Sequence, residues 1–218
     1  MSWTAYDDPV VARKMTALAL QELGRWLMEP EFHEPWNVFL DWIGRIMPTL
    51  PLRNTSLLDV GCASGYYGAL LRLRFGQNID YRGCDRSRAL LDFGVSVFGH
   101  SWHSLWEPHS DGRVSFGPVN PHYDIVLSGS MLQHEEHWEQ ALAEQVRVCR
   151  RWLIIHKIPI ANTLVQRQKQ AYGVTMNEWN FPVWLINEKV GRKPVDEHWF
   201  ASVEPHWSGL YDLGGVQS

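Results

Sequence analysis

The run Leu57-Leu58-Asp59-Val60-Gly61-Cys62-Ala63-Ser64-Gly65-Tyr66-Tyr67-Gly68 restricts the possible folds of this chain more than any other stretch. Ser56 to Val60 reads as a short buried strand, glycine follows at once, and YYGALLRLRF then carries a helical pattern. A strand entering a helix through two closely spaced glycines is a ligand-binding turn. Gly61 lets the chain reverse sharply, Gly65 lets backbone pass close to a ligand, and the helix start offers unpaired N–H groups to a carboxylate or a ribose. Downstream, strand and helix patterns alternate: IDYRGC, SRALLDFGVSVFG, YDIVLS, HWEQALAEQVRVC and WLIIHKI. Alternation of this kind builds a parallel sheet with helices on both faces.

Upstream, residues 9–28 show helical spacing after Pro9, and a second helix is expected from about Pro35 to Met47. Residues 162–172 suit a helix, while residues 173–197 show no clear period. The segment HWFASVEPHWSGLYDL reads as two closing strands with Pro205 in their turn. With 218 residues the chain is long enough for one α/β domain and short for two. The expectation is a single domain over 1–218, made of a helical cap (1–50), a cofactor-binding core (55–158), and a substrate cover with closing strands (159–218).

The charge balance is 20 basic against 24 acidic residues, and neither sign forms a long block, so no nucleic-acid partner is expected. Cys62, Cys84 and Cys149 make no CxxC pair and indicate neither a disulfide framework nor a cysteine zinc site, which suits a reducing cytoplasm. The first residues are acidic where a signal peptide is basic and apolar, and no stretch has the length of a membrane span. A cytoplasmic protein with no membrane partner is expected. The tryptophans are spread from Trp3 to Trp207 and read mainly as packing residues.

Asp85 ends the second strand, 24 residues after Gly61, where a carboxylate can accept hydrogen bonds from both hydroxyls of an adenosine ribose. Turn and acid together indicate a nucleoside-containing cofactor. The dinucleotide fingerprint needs glycine where this chain has Ala63, so that backbone can approach a pyrophosphate. S-adenosylmethionine has no pyrophosphate and brings an ammonium that Asp59 can face, so it is preferred over NAD.

At these residues the chain resembles the class I S-adenosylmethionine-dependent methyltransferases. The resemblance covers about residues 55–158: LLDVGCASG matches the first motif, GCDRS the second, and YDIVLSGSMLQHEEHWEQAL the fourth strand, its substrate-facing loop and the next helix. More narrowly, WLIIHKIPIANTLVQRQ and NFPVWLIN are similar to a group of methyltransferase-like proteins, some associated with bacterial surface-polysaccharide gene clusters. The resemblance implies an α/β, Rossmann-like, doubly wound and mostly parallel sheet with N-terminal cap helices. It implies that Gly61, Cys62, Ala63 and Gly65 contact the methionine portion with Asp59 nearby, that Asp85 holds the ribose, and that Arg86 lies along the adenine. Residues 117–120, after a short strand at 113–116, would read the adenine edge, and Ser128 and Gly129 would line the cavity near the sulfonium.

Methyl transfer is an in-line displacement that needs a base only when the acceptor carries a proton. His134, in the loop after the fourth strand, is the candidate base, with His137 and His156 as rivals. His134-Glu135-Glu136-His137 lacks the HExxH zinc pattern, so no metal is expected. Gln166, Arg167 and Lys169 form a polar, basic cluster that can meet an acidic substrate or simply face solvent. The resulting expectation is an enzyme that methylates an oxygen or nitrogen of a small molecule, with residues 160–194 among those covering the substrate. The alternative is a noncatalytic cofactor-binding partner or regulatory subunit of the same fold, and a dehydrogenase stands third.

Overall fold

A computed structural model of the chain describes residues 6–50, 55–99, 104–105, 122–201 and 204–214. Two helices, α1 (Pro9–Met28) and α2 (Glu34–Ile46), precede the alternating unit. That unit runs β1 (Thr55–Val60), α3 (Tyr66–Phe75), β2 (Ile79–Asp85), α4 (Arg88–Phe98), β3 (Ser104–Leu105), β4 (Tyr123–Gly129), α5 (Trp138–Val148) and β5 (Cys149–Pro159). A hairpin of β6 (Val165–Ala171) and β7 (Val174–Asn180) follows, then α6 (Val183–Val190), β8 (Asp196–Phe200) and β9 (His206–Asp212).

The main sheet has the order β3-β2-β1-β4-β5-β9-β8, parallel from β3 to β5 and antiparallel where β9 pairs with β5 and β8. The expected Rossmann-like, mostly parallel sheet is therefore present, and the closing strands lie at its edge beyond β5. Strand order reverses between β1 and β4, and in open α/β sheets the crevice at that point receives the ligand. Two apolar clusters sandwich the sheet. Leu58, Val60, Val126, Leu153, Ile155 and Ile158 face α5 and α6, while Leu57, Ile125, Leu127, Trp152 and Ile154 face α2 and α3.

The cap begins cleanly, because Asp8 accepts a hydrogen bond from the Val10 N–H (2.7 Å) ahead of Pro9 in the first turn of α1. Its apolar stripe is only partly used, since Val11 and Leu23 are buried while Val10, Leu18 and Leu27 remain exposed. Among the described residues no helix is long and apolar enough to cross a membrane.

Residues 162–172 do not form a helix. Val165–Ala171 is the strand β6, paired antiparallel with β7 in unbroken register from Val165↔Asn180 to Ala171↔Val174. Gln, Arg and Lys favour helices locally, but Tyr172 and Gly173 both adopt positive φ (56° and 86°), the geometry of a tight hairpin turn. The stretch without clear period holds β7 and α6. Residues 113–120, expected to hold a strand and an adenine-reading loop, lie outside the described residues.

At the closing edge a Cβ on Gly209 would overlap the outer ring of fully buried Trp207, whose indole N–H is held by Glu197 (2.9 Å). Gly209→Ala is expected to lower the thermal midpoint by about 3–9 °C, the consequence of roughly 1–3 kcal/mol of overpacking. A calorimetric melt checks it.

Candidate active site

The carboxyl ends of β1, β2 and β4 converge on a cavity of about 460 Å³, within the usual range for small-molecule sites. Its floor is the glycine turn. Gly61 has φ 73°, and a Cβ there would overlap Met131, so this position needs glycine for both reasons. The Gly61 and Cys62 N–H groups donate to the Cys84 carbonyl (2.8 and 3.0 Å), and Gly65 N–H donates to the Cys62 carbonyl (2.8 Å). Ala63 N–H donates to the Asp85 carboxylate (2.7 Å). These four N–H groups are spent inside the turn. A pyrophosphate approaching this turn would find these four donors already engaged.

What the cavity does offer is acceptors. Asp85 is buried, lines the cavity, and accepts from Ala63 N–H and from Ser87 N–H (2.8 Å), leaving further lone pairs on each oxygen. Burial pushes its carboxyl up to about 6, against the downward pull of those N–H bonds. Gln133 lines the cavity with a buried Oε1 that has no hydrogen-bond partner among the described residues. Beneath the turn, Asp59 accepts from the Tyr81 hydroxyl (2.7 Å) through one oxygen, while the other is buried and unpartnered. Burial raises Asp59 to about 7. The two buried acceptors that line the cavity, Asp85 and Gln133, call for a ligand with donors.

Of the residues expected to bind cofactor, Gly61, Ala63, Asp85 and Gly129 line the cavity, and Gly129 is where a Cβ would strike the Tyr67 ring. Asp59, Cys62, Gly65 and Ser128 form the layer behind it. Cys62 and Ser128 are buried, Gln145 donates to the Ser128 hydroxyl (3.4 Å), and Gly65 caps α3 with φ 79°. Arg86 is outside the lining and pairs with Glu135 (3.2 Å), which also accepts the His137 N–H (2.9 Å). Glu135 thus makes the His134–His137 run a structural joint between β2 and α5.

His134 lines the cavity edge-on to Tyr6, with ring centroids 5.6 Å apart, and burial lowers it to about 4 despite a hydrogen bond to the Asn177 backbone. It is unprotonated at neutral pH. His156 lies elsewhere, fully buried against Phe39, Tyr67 and Phe200, with Nδ1 on the Ser208 hydroxyl (3.0 Å). Burial holds it near 3, as for a neutral core histidine.

Much of the lining was not legible in sequence. Tyr6 lines the cavity: its carbonyl accepts from the Ser87 hydroxyl (2.7 Å) and its hydroxyl meets the Met176 sulfur (3.1 Å), tying the segment before α1 to α4 and to the hairpin. His33 stacks on Trp36 (3.9 Å), and Trp36 stacks in turn on Tyr66 (5.9 Å). From the hairpin, Lys169 enters with Glu178 (3.2 Å) and Glu204 (3.0 Å) as partners. Of the expected basic cluster only Lys169 reaches the cavity, since Gln166 and Arg167 are exposed on β6 and outside the lining.

Residues 58–154 match a family described as a methyltransferase domain. No curated protein matches the chain in sequence. Among solved structures it is similar to an S-adenosylmethionine-dependent methyltransferase from Clostridium acetobutylicum ATCC 824, with TM-score 0.63 and 9% identity over 90% of this chain and 98% of that one. It is also similar to an amino pentose methyltransferase from Micromonospora echinaspora solved with S-adenosylmethionine (TM-score 0.57, 12% identity, 88% and 96% covered). A magnesium protoporphyrin IX methyltransferase from Synechocystis PCC 6803, solved with S-adenosylhomocysteine, gives TM-score 0.54 and 11% identity over 81% and 83%. The domain match and the sheet order define the class: the chain is an enzyme with the Rossmann-like methyltransferase fold. S-adenosylmethionine fits the acceptors described above, because its ammonium, ribose hydroxyls and adenine amine are all donors.

Proposed function

We propose that the chain transfers a methyl group from S-adenosylmethionine to an oxygen or nitrogen atom of a small-molecule acceptor. The observation that supports this best is one of backbone strain. The non-glycine residues with positive φ among those described are Ala63, Ser130, Lys157 and Tyr172, and all four line the one cavity. Each such conformation costs on the order of 1–3 kcal/mol and persists where the surrounding structure holds it, commonly at working sites. Ala63 belongs to the turn, Ser130 and Lys157 to the ends of β4 and β5, and Tyr172 to the hairpin tip, so the strain spans a cofactor side and an acceptor side.

In this reading residues 1–50 are the cap, 55–158 the core, and 159–218 the cover and closing strands. S-adenosylmethionine is the cofactor and supplies an electrophilic methyl on sulfur. Asp85 takes the ribose hydroxyls, Asp59 and Gln133 face donor groups, and Gly61 and Gly129 keep the floor low enough for close approach. The aromatic wall of Trp36, Tyr66 and Tyr67 positions the acceptor and excludes water. His134, unprotonated, accepts the acceptor's proton.

Calorimetric titration tests the cofactor assignment: S-adenosylmethionine and S-adenosylhomocysteine bind and NAD does not. Binding of NAD alone, or of none, overturns it. His134→Ala is expected to lower turnover about 10- to 100-fold, the low end for a general base because its pKa lies far below neutrality. The cofactor dissociation constant should stay within about threefold, because the ring takes a proton from the acceptor and holds no cofactor group. Labelled-methyl transfer to a small-molecule extract measures the turnover, and an unchanged rate removes His134 from the chemistry.

A further inference from the structure

The acceptor side of the cavity holds two lysines in opposite circumstances. Lys169 is neutralised, with Glu178 at 3.2 Å and Glu204 at 3.0 Å. Lys157 makes no side-chain hydrogen bond or ion pair among the described residues, although it is half-buried and lines the same cavity. The one acid that acts on it is Glu22, and that carboxylate is engaged by His33 Nε2 at 2.8 Å. His33 and His206, both in the lining, feel the Lys157 charge and are held below the usual histidine range chiefly by burial. They are neutral neighbours that add no positive charge beside Lys157, and the single N–H of the His33 ring is already given to Glu22.

The backbone puts Lys157 there deliberately. Register between β5 and β9 shifts between Ile155 and Ile158, and both isoleucines pack on the α5–α6 side of the sheet. A regular strand would place one residue between them on the opposite side; here two intervene, His156 and Lys157. The extra residue is Lys157, with φ 54°, its N–H donating to the Ser208 hydroxyl (2.8 Å) and its carbonyl accepting from Ser130 (3.1 Å). Ser130 is itself in the left-handed region, so two strained residues hold one another at the cavity wall.

We infer that Lys157 anchors an anionic group of the methyl acceptor, so that the acceptor is a small molecule carrying a carboxylate or phosphate. A half-buried ammonium on a strained bulge, with no side-chain hydrogen bond or ion pair among the described residues, is costly to keep, and an incoming anion relieves that cost. The inference rests on the methyltransferase reading for the word acceptor, while the anion site itself does not.

The test uses NMR of the full chain with 13C-labelled lysine, the Lys157 side-chain signal being assigned by its loss in Lys157→Met. The protein is titrated, with and without S-adenosylhomocysteine, with inorganic phosphate, with acetate, and with chloride at matched ionic strength. A saturable shift of the Lys157 signal with phosphate or acetate, absent with chloride, is expected, and the stronger of the two identifies the group. By calorimetry Lys157→Met should weaken that anion about tenfold or more, as loss of a charge-assisted hydrogen bond implies. Lys157→Arg should retain it, and cofactor binding should stay within about threefold in both variants because neither replaces a cofactor-side group. No saturable shift, or equal anion binding by Lys157→Met, overturns the inference. Failure of S-adenosylhomocysteine to bind the unmodified chain overturns the cofactor reading instead.

Discussion

Asp85→Ala is expected to weaken S-adenosylmethionine binding about 100-fold or more. Two ribose hydroxyls donating to a buried carboxylate are worth roughly 1.5–3 kcal/mol each, and every 1.4 kcal/mol is a factor of ten. The same oxygens receive the Ala63 and Ser87 N–H groups, so the substitution also frees the turn that forms the cavity floor. Asp85→Asn keeps one acceptor oxygen and should fall between the two, which separates loss of the ribose contact from collapse of the turn. Calorimetry gives the affinities and a melt verifies folding. Binding by a folded Asp85→Ala within threefold of the original would remove the carboxylate from the cofactor site.

The second large effect pairs a gain with a loss at Asp59. Its carboxyl is raised from 3.8 to about 7 by burial, only partly offset by the Tyr81 hydroxyl, and its second oxygen is unpartnered. A carboxyl whose folded pKa lies above its unfolded one stabilises the fold fully below about 4. That contribution is lost as pH rises through about 7, when the buried group must ionise. Asn cannot ionise, so Asp59→Asn should raise the apoprotein's thermal midpoint at pH 8, on the order of 5 °C, and by much less at pH 5. If Asp59 serves the cofactor ammonium as proposed, the same substitution should also weaken the cofactor about tenfold, because a neutral amide replaces a charge. Melts at the two pH values and one titration check both halves. A lower midpoint at pH 8 would show that the charge is not a burden in the apoprotein.

Legibility in the sequence followed the range of the interactions. The β1–turn–α3 unit and the alternation after it rest on neighbouring residues, and they appear where the spacing placed them. So do Asp85 at the end of β2 and the two closing strands. The hairpin is not legible locally because Gln166 to Gln170 prefer helix one residue at a time, whereas β6 exists only because β7 pairs with it across Tyr172 and Gly173. The engagement of the Gly61, Cys62 and Ala63 N–H groups is likewise invisible locally, since Cys84 and Asp85, their acceptors, arrive with β2.

The acceptor side shows the limit most clearly. Tyr6, His33, Lys157, Lys169 and His206 are scattered along the chain and share no motif, yet they line one cavity. Spacing determined the sheet, the glycine turn and the acid at its side, because periodicity and glycine's freedom at positive φ act over a few residues. Only the tertiary structure decided which charges are cancelled and which remain, as at Lys169 and Lys157, because ion pairing, burial and bulge register depend on partners that folding brings from distant parts of the chain.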